Sequence, residues 1–137
     1  MKGFFYLYDI LSARGSSLNR SSLQLSSSFP DVITCLPSGD IQVAGAKAWI
    51  LQAENSQLVF FEFAAGTKVP EHSHGYSQWG MVINGKMVLT VADKPRVCVK
   101  GSEYIIPAGA KHSAKFLRKT RVMDYFSEKS RYKPKTA

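Results

Sequence analysis

Residues 66–85 read GTKVPEHSHGYSQWGMVING, and residues 101–116 read GSEYIIPAGAKHSAKF. The first stretch holds His72, His74 and Gln78, and the second holds His112, the last of the chain's three histidines. Side chains two apart on an extended strand share a face, so the spacing predicts that His72 and His74 project together. Gln78 adds a carbonyl oxygen, and His112 completes the set from a neighbouring strand. Imidazole nitrogens with an amide oxygen suit one divalent transition metal far better than calcium or magnesium. An HxH pair alone is weak evidence, because ordinary surface histidines are common. Glycines and a proline at fixed offsets around both stretches change that balance.

Outward from these stretches the pattern is one of short strands. Ile41–Val43, Ala48–Leu51, Gln57–Phe63, Trp79–Ile83, Lys86–Val91, Val97–Val99, Tyr104–Ile106, Ser113–Phe116 and Arg121–Phe126 are rich in β-branched and aromatic residues. Gly66, Pro70, Gly75, Gly101, Pro107 and Gly109 punctuate them. Asn84-Gly85 reads as a two-residue hairpin turn between two of them, since both residues tolerate positive φ. No segment sustains a helical period. Many short strands separated by turn signals predict an all-β sandwich or barrel.

Two motifs make the chain resemble the cupin superfamily. The first, Gly66-x5-His72-x-His74-x3-Gln78-x6-Gly85, follows the family's G-x5-H-x-H-x3,4-E-x6-G except at the acid. The second, Gly101-x5-Pro107-x-Gly109-x2-His112-x3-Phe116, follows G-x5-P-x-G-x2-H-x3-N except at its last position. The resemblance implies an all-β double-stranded β-helix, the jelly-roll cupin barrel, with the histidines facing a pocket between two sheets. It also implies a metal held by His72, His74, Gln78 and His112. Zinc, nickel, iron, manganese and copper all fit such a set. With glutamine in place of glutamate every ligand is neutral and the site keeps a formal +2, so the ion is a stronger Lewis acid and attracts anionic oxygens. Gln78 alternatively stands behind three histidine ligands or touches the substrate.

A narrower resemblance is to small cupins of pectin degradation, which linearise 4,5-unsaturated uronates. They end in a strand like D-x-F-S-P-P-R, and this chain has Asp124-Tyr125-Phe126-Ser127 but lacks both prolines, and Arg131 falls one residue late. The resemblance implies Asp124 as general acid or base and Arg131 as partner of a substrate carboxylate. The competing reading makes Asp124 a strand-end residue in an ion pair with Arg121 or Arg131. Tyr76 and Trp79 flank the metal segment and are read as packing residues.

Composition bounds the rest. A chain of 137 residues with 45% apolar and 12% aromatic content fits one globular domain. It divides into a serine-rich extension (1–29), the barrel (30–127) and a basic C-terminal tail (128–137). The apolar patch Phe4–Tyr8 is too short for a core of its own and is expected to help form a homodimer. No apolar run reaches the roughly 18 residues of a membrane span. Cys35 and Cys98 show no paired spacing and read as reduced structural thiols in a soluble, cytoplasmic protein. Of the net +8, residues 94–135 carry twelve Lys or Arg against three acids, a balance of +9. The cations are dispersed through strands, with no recognition helix or RNA-binding aromatic motif, so a small anion is expected as partner, not nucleic acid or membrane. Three function classes follow: a metal-dependent enzyme acting on a sugar-acid-like anion, an iron or copper dioxygenase, and a non-catalytic small-molecule sensor.

Overall fold

A computed structural model describes residues 28–136. A single helical turn, α1 (Asp31–Thr34), precedes nine strands. These are β1 (Ala46–Gln52), β2 (Gln57–Phe63), β3 (Lys68–His72), β4 (Gln78–Asn84), β5 (Lys86–Val91), β6 (Lys94–Val99), β7 (Glu103–Ile106), β8 (His112–Phe116) and β9 (Thr120–Phe126). They form two antiparallel sheets, ordered β1-β2-β9-β4-β7 and β3-β8-β5-β6. Chain neighbours β4 and β5 lie in different sheets, while β9 returns between β2 and β4. This is the expected jelly roll, a double-stranded β-helix.

Alternation builds the interior. Along β2, Gln57, Val59, Phe61 and Phe63 are buried, while the residues between them face outward. Met87 and Leu89 of β5 and Phe116 of β8 meet them from the other sheet. The Phe63 and Phe116 rings stack at 3.8 Å between centroids, joining the sheets at one end. Each large side chain so buried contributes roughly 1.5–3 kcal/mol. Cys98 lies in this core and Cys35 is exposed, both as free thiols.

Three local expectations are corrected. Asn84-Gly85 is not a hairpin turn, because the strands on either side of it belong to different sheets. Gly85 has φ +111°, and a Cβ there would stand 2.6 Å from the Lys119 carbonyl oxygen, so glycine permits a sharp corner. The two-residue hairpin is instead Ala92-Asp93, with φ of 47° and 64°, joining β5 to β6. Two successive positive φ values are the type I′ geometry that suits twisted strands.

Ile41–Val43 forms no strand either. It continues a segment in which Gly39 bridges Pro134 and the Asp40 amide donates to the Lys133 carbonyl at 2.7 Å. Residues after β9 thus turn back onto the barrel. Buried Gln57 holds them, donating from Nε2 to the Tyr132 carbonyl at 2.9 Å and accepting from the Tyr132 amide at 3.0 Å. The third correction concerns the histidines themselves.

Candidate metal centre

His72 closes β3, but His74 lies beyond it in the loop before β4, so strand alternation does not align the pair. The loop does. The Gly109 amide donates to the His74 carbonyl at 2.8 Å, pinning it to the turn that precedes β8. His112 opens β8 directly opposite His72. Ring centroids lie 4.2 Å apart for His72 and His112, and 4.8 Å for His74 and His112. The three ligand nitrogens fall within 4.8 Å of one another.

Backbone carbonyls fix the tautomers. His72 Nδ1 lies 2.9 Å from Pro70 O, His74 Nδ1 2.8 Å from Tyr76 O, and His112 Nδ1 2.9 Å from Ala110 O. A carbonyl oxygen only accepts, so each Nδ1 carries a proton and donates it, and each Nε2 presents a lone pair. His112 Nε2 is buried without a hydrogen-bond partner. His74 Nε2 faces Gln78 Oε1 at 3.1 Å, one acceptor against another. Converging lone pairs with no donor between them are what a cation relieves, and carbonyl support of the far ring nitrogen is the usual setting of a histidine ligand. Burial lowers the pKa of His72 and holds His112 down to about 4, with the other charges nearby, including Arg131, adding to the effect. The His72 and His112 rings are therefore neutral and ready to ligate at physiological pH. The residues present fit a divalent transition metal.

Asp124 on β9 is buried in the same cavity. Its Oδ1 accepts a hydrogen bond from Tyr104 Oη at 2.5 Å. Burial pushes its carboxyl up to about 7, against the pull of hydrogen bonds from Tyr104 and Gln78. The ion pair with Arg121 or Arg131 is not formed. Arg121 lies on the opposite face of the sheet, donating to Ser28 O at 2.9 Å and covering the Phe29 ring. Among the described residues the one ion pair is Lys119–Glu62 at 3.6 Å.

Arg131 lines the cavity, its guanidinium 4.8 Å from the Tyr132 ring centroid and its buried Nε without a partner. Tyr76 stacks on His74 at 4.4 Å, which is the packing role expected of it. Trp79 neighbours inward-facing Gln78 on β4 and so points to the outer face. The sequence reading missed Tyr104 and Gly80. A Cβ on Gly80 would collide with Asp124 Oδ1 and the Tyr104 ring, so this glycine makes room for their hydrogen bond. Neither stands at a motif anchor. Tyr104 was recoverable from its two-residue spacing to buried Ile106.

The cavity encloses about 560 Å³, ample for a small organic acid. Residues 59–124 match the model of the Cupin domain family. These residues form a cupin domain. Solved cupins share its fold. An RmlC-like cupin from Shewanella frigidimarina aligns with TM-score 0.65 and 22% identity over 76% of this chain and 90% of that one. KdgF from Halomonas sp. aligns with TM-score 0.62 and 22% identity over 68% and 86%. Salicylate 1,2-dioxygenase from Pseudoaminobacter salicylatoxidans aligns with TM-score 0.61 and 14% identity over 64% of this chain and 26% of its own. At these identities the likeness is one of fold alone. No curated protein matches the sequence.

Proposed function

We propose that this cupin is a metal-dependent enzyme acting on a small carboxylated, sugar-acid-like molecule. His72, His74 and His112, with Gln78 as an oxygen donor, would hold one divalent transition metal. When bound, the ion supplies Lewis-acid polarisation of substrate oxygens. Asp124 is the general acid or base: its carboxyl, near neutrality, can carry or accept a proton at Oδ2, while Tyr104 fixes Oδ1. Arg131 receives the substrate carboxylate, the ligand its unpartnered Nε lacks. Ile41 and Tyr132 close the cavity side and limit water.

One observation carries the reading. A buried carboxyl, with no cation beside it among the described residues, opens onto a cavity lined by His72, His112 and Arg131, and His74 converges on the same two imidazoles. The strand ending Asp124-Tyr125-Phe126-Ser127, which resembles the ending of uronate-linearising cupins, supports the substrate class.

The basic C-terminal half contributes less to anion binding than its charge suggests, since Arg131 is its one cation lining the cavity. Acid selectivity therefore rests on close contacts, not on steering, and close contacts resist salt. The test is turnover of a 4,5-unsaturated uronate by metal-loaded protein, followed through loss of its conjugated absorbance. A matched calorimetric pair, uronate and sugar alcohol, should show a preference for the acid that survives high salt. Equal affinity for the two, with no turnover, would overturn the proposal. Oxygen uptake with an aromatic acid would replace it with dioxygenase chemistry.

A further inference from the structure

The inward side chains of β2 are Gln57, Val59, Phe61 and Phe63, so a single amide heads an apolar row. Gln57 is 1% exposed, and a buried amide is costly unless its hydrogen bonds are made. Two of them go to one residue. Nε2 donates to the Tyr132 carbonyl at 2.9 Å, and Oε1 accepts from the Tyr132 amide at 3.0 Å, which clamps that backbone from both sides. The other Nε2 hydrogen goes to Gln52 Oε1 at 2.8 Å, and Gln52 Nε2 reaches the Lys129 carbonyl at 2.8 Å. Register explains the placement, since Gln57 pairs with Gln52 on β1 and with Phe126 at the end of β9, where the chain leaves the barrel. An apolar residue at this position would extend the row but could hold nothing that follows β9.

The clamped segment is the one that brings Arg131 into the cavity. The Tyr132 ring meets Phe61 at 5.6 Å and Phe126 at 5.7 Å between centroids, both edge to face. The Arg131 guanidinium lies 5.8 Å from the Phe126 centroid and 4.8 Å from that of Tyr132. Aromatic rings hold the face of a guanidinium and leave its edge N–H groups to meet a carboxylate. Beyond Tyr132 the segment continues against residues 38–40. The Lys133 carbonyl accepts from the Asp40 amide at 2.7 Å, and the Lys135 amide donates to the Ser38 carbonyl at 2.8 Å. Asp40 and Ile41 line the cavity beside Arg131 and Tyr132, so the clamp secures two lengths of its wall. We propose that Gln57 is a positioning residue for acid selectivity. It acts through Arg131, by fixing the Tyr132 backbone and with it the point that the guanidinium reaches. The inference rests on Arg131 being the partner of the substrate carboxylate.

The experiment is calorimetry of the metal-loaded full chain with galacturonate and with galactose, the same ring carrying CH2OH in place of the carboxylate. Gln57→Leu keeps the apolar row and removes the clamp. It should bind galacturonate about tenfold more weakly than the wild type, with galactose affinity held within about twofold, because only the guanidinium–carboxylate contact is loosened. Arg131→Gln should lose the same preference, and adding Gln57→Leu to it should cost nothing more, as expected of two residues acting through one contact. Exposed Gln52 gives a milder variant that keeps the test open if Gln57→Leu does not fold. Gln52→Ala should weaken galacturonate alone, by about threefold. Equal weakening of both sugars would make the clamp structural only, and unchanged acid affinity or additive losses in the double variant would show that it does not act through Arg131. Each of these results overturns the inference. A wild type that binds the two sugars alike would overturn the role of Arg131 first, and the inference with it.

Discussion

Asp124 and His112 sit in one cavity with opposite pKa displacements, and each has a consequence for stability. His112 is held at about 4 when folded against an ordinary 6.5, so between those values the unfolded chain takes a proton that the folded one refuses. Its contribution is full above pH 6.5 and is lost as pH falls toward 4. Asp124 stands at about 7 against 3.8, so the folded chain keeps a proton that the unfolded chain releases. Its contribution is full below pH 3.8 and is lost as pH rises to 7. The two slopes oppose across pH 4–6.5, and metal-free wild type should show a shallow profile there. Asp124→Asn removes one slope. The variant should gain on the wild type steadily from pH 4 to 7, by on the order of 3 kcal/mol in total. Parallel pH profiles in thermal or urea melts of the metal-free proteins would contradict the assignment. At this scale the sequence displayed the ligand types, because histidines at rigid offsets can be read directly. It did not display the partner of Asp124, because the Tyr104 contact depends on β7 and β9 both pairing with β4.

Strand content was legible in alternating apolar residues, and connectivity was not. Asn84-Gly85 has the composition of a hairpin, but its glycine serves a corner between sheets, and no local signal distinguishes the two uses. Ala92-Asp93 makes the hairpin without the usual residues, because register across β5 and β6 leaves only two residues for the loop. Tertiary pairing overrides turn preference there, at a cost. An alanine with φ near +47° is strained by about 1 kcal/mol relative to residues that tolerate the left-handed region. Ala92→Asn should relieve part of it without adding the chain entropy of glycine, raising the melting temperature by a few degrees, roughly 0.5–1 kcal/mol. An unchanged or lower melting temperature would show that the turn carries no such strain. The His72-Ser73-His74 spacing gives a similar lesson. The three histidines do converge, but His74 reaches the site from a loop tied to Gly109 and not from a strand.

Across the whole molecule the proposed ligands come from both sheets and the loop between them. His72 and His112 belong to the four-stranded sheet, Gln78 to the five-stranded sheet, and His74 to the loop between them. An ion bound to all four would tie the sheets together at the end of the barrel opposite the Phe63–Phe116 stack. Binding to the folded chain alone raises stability by RT ln(1 + [M]/Kd), about 4 kcal/mol at a thousandfold excess over Kd. Overall architecture was legible because glycine, proline and histidine anchors recur at fixed offsets through both motifs.

Native mass spectrometry with elemental analysis of the wild type and His112→Ala should find one divalent transition metal per wild-type chain and no stoichiometric metal in the variant. The metal-dependent rise in melting temperature should vanish with it. Equal metal content in the two proteins would contradict the account.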